Sequence, residues 1–190
     1  MAEPTEGADR VDGADPADRA DRAARAAIGS TQGIVAADGR RYAFADHHCF
    51  ACGASNPIGL GLHIELGDGT ARTEWTVGDD HVGWSDKAHG GIVATLLDEV
   101  MAWACASSDA WAVTAEMTVR FRSPASPGER LLASGRVVER RRRIYDVTGE
   151  VRTADGRLVA EGSGRYLGAS PTDKAELKDR YGTAPGVRAE

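Results

Sequence analysis

One antiparallel sheet wrapped around a single long central helix, an α+β domain, is the fold that this 190-residue chain predicts. Three observations carry that expectation. Residues 90–106 form a stretch with apolar residues at helical spacing that is too long for an ordinary strand. Short β-prone segments flank it, two before and four after, punctuated by Gly-Asp-Gly at 67–69, Pro-Gly at 127–128 and Asp-Gly at 155–156. One helix cannot cover both faces of a parallel sheet, so an antiparallel sheet curled around it is the economical arrangement.

Residues 1–38 are biased towards Ala, Asp, Arg and Gly and hold little that could enter a core, so they are expected to be a disordered arm. Within it, Asp15 as cap, Pro16 at the first helical position, the Asp18/Arg22 and Asp21/Arg25 pairs and Gly29 as a stop supply the parts of one short helix. Alone, such a helix is marginal in water. The folded domain is expected over residues 39–169. Leu60–Leu66 and Thr70–Val77 read as a strand hairpin, followed after a loop by the helix. Strands then come at about Ala112–Arg122, Arg130–Glu139, Arg143–Arg152 and Leu158–Leu167. In the first of these Val113, Ala115, Met117, Val119 and Phe121 alternate with Thr114, Glu116, Thr118, Arg120 and Arg122, one apolar face against one polar face. Residues 170–190 are expected to be a tail with a short capped helix starting near Ser170.

Bulk properties narrow the function classes. A hydrophobic content of 42% is ordinary for a globular domain, and a formal net charge of -6 argues against general affinity for nucleic acid or acidic membranes. The chain starts Met1-Ala2-Glu3-Pro4-Thr5-Glu6, acidic and without an apolar run, and no later segment approaches the length of a membrane span. Its three cysteines, Cys49, Cys52 and Cys105, fit a reducing compartment better than a disulfide-stapled fold, so a cytoplasmic location is expected.

The densest chemical information lies from His89 to Glu99. Two glycines at the first helical positions let a reacting group approach the backbone, and free N–H groups at the positive end of a helix dipole suit a developing negative charge. An oxyanion site needs these features, and Asp98 stands two turns further on. At about 100° per residue, Ile92, Leu96, Val100 and Trp103, widened by Val93, Leu97 and Ala104, are expected to face the sheet. The opposite stripe, Gly91, Ala94, Thr95, Asp98, Ala102 and Cys105, is small apart from one carboxylate and leaves room for a partner backbone or a substrate. Glu99 falls nearer the apolar edge, where a structural hydrogen bond or ion pair is its expected role, and it ranks second to Asp98 as a catalytic acid. Cys105 is expected to be a buried filler, with no basic group in view to activate it.

His89-Gly90-Gly91 followed by Asp98 resembles the hotdog-fold acyl-CoA thioesterases, in particular the phenylacetate-pathway (PaaI-like) and 4-hydroxybenzoyl-CoA thioesterase branches. The segment Cys49-Phe50-Ala51-Cys52-Gly53-Ala54-Ser55-Asn56-Pro57-Ile58-Gly59-Leu60 is similar to one common in that family, and Phe121-Arg122-Ser123-Pro124 with Gly128 is similar to its strand and turn after the helix. The likeness covers about residues 45–169. It implies the hotdog fold and hydrolysis of an acyl-CoA thioester to the free acid and coenzyme A, without a cofactor. By position, Asp98 would be general base or nucleophile, the Gly91 backbone N–H the donor to the thioester carbonyl, and His89 a residue lining the same site. Gly90, Asn56 and Ser123 are expected to contact substrate, and Thr114 or Thr118 to orient water.

Along one helix axis Gly91 and Asp98 are separated by roughly 10 Å, too far for a single thioester carbon to touch both. The simplest site joins Gly91 of one chain to Asp98 of another, which predicts an obligate homodimer or a dimer of dimers, the assembly that the resemblance also implies. A carboxylate suffices to activate water or to attack directly, because the thiolate leaving group is already weakly basic. Water activation is the preferred reading.

Cys49-Phe50-Ala51-Cys52 with His47 and His48 is half of a zinc site, but the second ligand pair is missing along the sequence and no metal is expected. The basic run Arg140-Arg141-Arg142-Arg143 falls in a turn; either it or Arg120 and Arg122 would hold coenzyme A phosphates. Trp84, Trp103 and Trp111 could line an aromatic-accepting pocket, although core packing accounts equally well for Trp103. Two alternatives to hydrolysis of an acyl-CoA stay open: a non-catalytic acyl-CoA-binding hotdog module, which has no need of Asp98, and a thioesterase acting on an acyl carrier protein. A hydratase fits less well, because here the histidine sits directly before Gly-Gly.

Overall fold

The computed structural model describes residues 33–35, 41–43, 47–108 and 110–181. Its strands are β1 (Gly33–Val35), β2 (Arg41–Ala43), β3 (Glu65–Gly67), β4 (Thr70–Thr76), β5 (Ala112–Phe121), β6 (Arg130–Arg141), β7 (Ile144–Thr153) and β8 (Leu158–Gly168). They form one sheet in the order β2-β1-β3-β4-β6-β7-β8-β5, antiparallel at every junction except the parallel β1–β3 pair. Helix α1 (Gly90–Ala106) packs across β4, β5, β6, β7 and β8, so the predicted sheet around one helix is what the chain adopts. A second helix, α2 (Pro171–Tyr181), starts where the tail helix was expected. Ser170 Oγ accepts the Asp173 N–H and Asp173 Oδ2 accepts the Ser170 N–H, a reciprocal cap that satisfies two end donors.

Of the expected N-terminal arm, Gly33–Val35 is in a strand; the helix expected near residues 15–29 lies outside the described residues. The first strand of the predicted hairpin is much shorter than its sequence pattern. Leu60 and Leu62 donate their N–H groups to Phe50 O and Ala51 O, at 2.8 and 2.9 Å, and the His63 carbonyl accepts from Thr73 Oγ1, so regular pairing starts only at Glu65. Among the described residues no helix is long and apolar enough to cross a membrane.

The ends of α1 follow their local signals. His89 caps the start, its Nδ1 accepting the Gly91 N–H, and Ser107 closes the end through its N–H to Trp103 O and its Oγ to Ala104 O. The face that enters the core is Val93, Leu96, Leu97, Val100, Met101, Ala104 and Cys105. That face is rotated from the expected one: Met101 and Cys105 are fully buried, whereas Ile92 and Trp103 are only half-buried. Met101 takes the space that Gly149 and Gly162 leave on the sheet, while the loop carrying Cys49 and Cys52 packs on the Glu99 flank.

Close approach of α1 to the sheet depends on a row of glycines. Gly135 on β6 stands opposite Gly149 on β7, which stands opposite Gly162 on β8. A Cβ at Gly135 would lie 2.5 Å from Val100 O, and one at Gly149 would lie 3.0 Å from Met101 Cγ. Any side chain at Gly135 would therefore push the helix off the sheet. A second irregularity matters more for chemistry. The β5–β8 register shifts between Thr114 and Glu116, a bulge that breaks the expected alternation and turns Thr114 towards α1.

Candidate active site

Asp98 sits on the flank of α1 that meets β5 and β8. Its Oδ1 accepts two hydrogen bonds, from Thr114 Oγ1 at 2.6 Å and from Tyr166 OH at 2.9 Å. Both donors use the same oxygen, which leaves Oδ2 as the one available to take a proton. Tyr166 is fully buried on β8, and its phenol is pushed well above the usual range by burial and by the Asp98 carboxylate beside it, so it is a fixed donor. Thr114 was among the expected substrate-site residues and does reach Asp98. Tyr166 had no signal in the sequence, because a tyrosine 68 residues from its partner carries no local mark.

At the start of α1 the expected donor is already engaged. The Gly91 N–H donates to His89 Nδ1 at 3.0 Å, while the Gly90 N–H has no hydrogen-bond partner among the described residues. His89 is anchored through its own N–H to His81 O at 2.8 Å, and Ala88 through its N–H to Ala125 O at 2.8 Å, so the turn before the helix is held from two sides. Gly90 opens onto a cavity of about 340 Å³ whose apolar walls include Ala88, Val93, Phe121 and Val159. A side chain there would narrow it, since a Cβ at Gly90 would stand 3.4 Å from the Phe121 ring. Arg122 and Ser123 line the same cavity, but Asp98 does not. Within one chain the free N–H and the acid therefore belong to different places.

The remaining expected contacts divide. Ser123 Oγ donates to Leu158 O at 2.5 Å and accepts from Arg157, which also bonds Pro124 O and Glu129, so this hydroxyl braces the turn beside the cavity. Arg122 is paired with Glu161 at 2.5 Å. Thr118 and Arg120 lie away from Asp98, in a groove of about 1080 Å³ shared with Arg72, Arg136, Thr148 and Glu150. The bulge explains this, because past Thr114 it is Met117 and Val119 that pack on the core and Thr118 and Arg120 that turn out. Asn56 folds its own loop, accepting the Ile58 N–H on Oδ1 and donating to His48 O. In the Arg140–Arg143 turn, Arg141 grips Glu139 with two bonds and Arg140 lies 5.2 Å over the Tyr145 ring. None of Trp84, Trp103 and Trp111 lines the cavity beside Gly90, and Trp84 is 93% exposed.

One cluster was not foreseen. Cys49, Cys52 and Glu99 bring their ligand atoms within 4.8 Å of one another on the far flank of α1. The Cys49 thiol is drawn down to about 5, first by the Cys52 side chain and, against burial, by the backbone N–H groups of Cys52 and Ala51. Cys52 is pushed up by its bond to Cys49 and by burial. Burial, reinforced by Cys49, lifts Glu99 to about 7 even though Trp103 Nε1 donates to it at 2.7 Å. Glu99 thus has the structural hydrogen bond expected of it. Cys105 is fully buried and its thiol is pushed up to about 12 by that burial, in keeping with a filler.

The thioesterase superfamily profile matches residues 87–160, the span from the turn before α1 to the start of β8. Human acyl-coenzyme A thioesterase 13 is 29% identical over 105 residues, which are 52% of this chain and 73% of that protein. Among solved structures, the PaaI protein of the phenylacetic acid degradation operon of E. coli superposes with a TM-score of 0.57 at 26% identity, covering 58% of this chain and 81% of that one. A variant of the phenylacetic acid degradation protein PaaI from Thermus thermophilus is 30% identical with a TM-score of 0.54, covering 57% of this chain and 93% of that one.

Proposed function

Because the chain belongs to the thioesterase superfamily, we propose that it is a hotdog-fold hydrolase that cleaves an acyl-CoA thioester to a carboxylic acid and coenzyme A. Asp98 is the observation that carries the reading. A carboxylate held through Oδ1 by Thr114 and Tyr166 presents Oδ2 at a fixed angle and needs no cofactor to act as a base. It takes a proton from water as the water oxygen bonds to the carbonyl carbon; the C–S bond then breaks and the thiolate departs. The negative oxygen formed in between is received by the N–H groups at the start of α1. Gly90 supplies the unengaged donor, and Gly91, the donor first expected, contributes once His89 releases it. The apolar cavity beside Gly90 takes the acyl chain.

The separation of Gly90 from Asp98 supports a site made by two chains. Strand β5 ends the sheet, and Val113 and Phe121 on it are 68% and 57% exposed, features suited to pairing with a second copy. We therefore assign a homodimer, with residues 39–169 as the catalytic unit of a cytoplasmic enzyme.

The test is a screen over short, long and aromatic acyl-CoAs with Asp98→Ala and Asp98→Asn as controls. Loss of a general base costs about 10²–10⁴-fold in kcat; activity retained in Asp98→Ala refutes the assignment. Binding without turnover on every acyl-CoA would establish the non-catalytic module instead, and turnover confined to acyl carrier protein would replace the substrate. Single-turnover hydrolysis in labelled water separates base from nucleophile, since label entering Asp98 requires direct attack.

A further inference from the structure

We propose that Cys49, Cys52 and Glu99 bind one thiophilic divalent cation of the Zn2+ kind, which clamps the loop of residues 49–62 onto helix α1. The half-site visible along the sequence lacked further ligands; the fold supplies one from α1. The three ligand atoms lie within 4.8 Å of one another, and tetrahedral zinc with sulfur and oxygen ligands at about 2.0–2.3 Å holds such atoms roughly 3.5–3.8 Å apart. Only small side-chain adjustments separate the two arrangements.

The turn is built to converge the thiols. The Gly53 N–H donates to Cys49 O at 2.9 Å, and the backbone N–H groups of Cys52 and Ala51 favour the Cys49 thiolate. Gly53 leaves no alternative path, since a Cβ there would lie 2.4 Å from both Cys49 N and His47 O. Bonds from Leu60 N to Phe50 O and from Leu62 N to Ala51 O tie the turn to the following segment. On the helix side, Trp103 Nε1 orients Glu99 at 2.7 Å, the kind of outer bond that holds a ligating carboxylate. Solvent provides the fourth ligand of the ion. Binding displaces the thiol protons, and the cation offsets the charge that the two sulfurs and the carboxylate then share.

Reduced, metal-stripped, full-length protein titrated with Co2+ and then competed with Zn2+ tests the site apart from any catalytic assay. One equivalent per chain with a thiolate-to-cobalt absorption band is expected, together with a higher melting temperature in Zn2+. Cys49→Ser and Cys52→Ser should each abolish the band. Glu99→Gln should keep it but weaken affinity by more than the roughly 10–100-fold that loss of an outer-shell partner costs. Circular dichroism of each variant separates lost ligation from lost folding. Absence of the band in reduced wild-type protein, or an affinity unchanged in Glu99→Gln, overturns the site. Stabilisation by a Cys49–Cys52 disulfide and not by Zn2+ overturns it in favour of an oxidative staple.

Discussion

Tyr166 and Thr114 decide what Asp98 can do, because together they saturate one carboxylate oxygen and aim the other. A hydrogen bond to a charged group contributes about 1.5–3 kcal/mol, so Tyr166→Phe and Thr114→Val should each lower kcat roughly ten- to hundredfold, with KM little changed, in steady-state assays. A loss confined to KM would mean that they bind substrate and do not position the acid. The donor at the helix start is separable from its shape. Gly90 is the first helical residue, and His89 before it has φ -62° and ψ 131°, a conformation that tolerates a following proline. Gly90→Pro should keep the helix by circular dichroism yet lose about 10²–10³-fold in kcat, the cost of one oxyanion donor. Gly90→Ala keeps the N–H and serves as the control for bulk, since both narrow the cavity. His89-Gly90-Gly91 and Asp98 were legible as neighbours in sequence. Tyr166 was not, and the binding of the Gly91 N–H by His89 was not, because one depends on a distant strand and the other on a side-chain rotamer.

For the elements, the decisive contact is between α1 and the glycine row of β6, β7 and β8. Gly135→Ala places a methyl 2.5 Å from Val100 O, a backbone atom that cannot move alone, and overpacking of this kind costs about 1–3 kcal/mol or more. Gly162→Ala meets nothing nearer than Thr118 O at 3.3 Å and Leu97 Cδ1 at 3.4 Å, so its urea midpoint should fall by less than that of Gly135→Ala. Equal effects would show that close helix approach is not what the row provides. The extent of α1 and the positions of β4 to β8 along the chain could be read because turns and periodicity act within a few residues; β1, β2 and the order of strands in the sheet could not. The face of α1 that enters the core could not. Met101 and Cys105 are buried and Ile92 and Trp103 only half-buried, and Met101 seats in the space that Gly149 and Gly162 leave on the sheet. Likewise the bulge in β5 overrides a clean alternation and delivers Thr114, a residue of the polar face, to Asp98.

On the scale of the whole molecule, the free Gly90 N–H and Asp98 occupy separate places in one chain, and the exposed β5 edge offers the surface through which two chains would complete each other. Val113→Glu replaces an exposed apolar side chain on the β5 edge by a charge, which disfavours pairing of that edge with a second copy. It should shift sedimentation from dimer towards monomer and lower specific activity in parallel, with the fold of each chain retained. A monomer with full activity would rule out the shared site. The sequence by itself determined the α+β class, the ends of α1, most strand positions and the Gly-Gly to Asp spacing, since each rests on chemistry between near neighbours. Only the tertiary structure decided that Thr114 and Tyr166 share one oxygen of Asp98, that Gly90 rather than Gly91 holds the unengaged donor, and that Glu99 meets the two cysteines. Those meetings join residues far apart in the chain, and their geometry is set by how helix, loop and sheet pack, which no local pattern encodes.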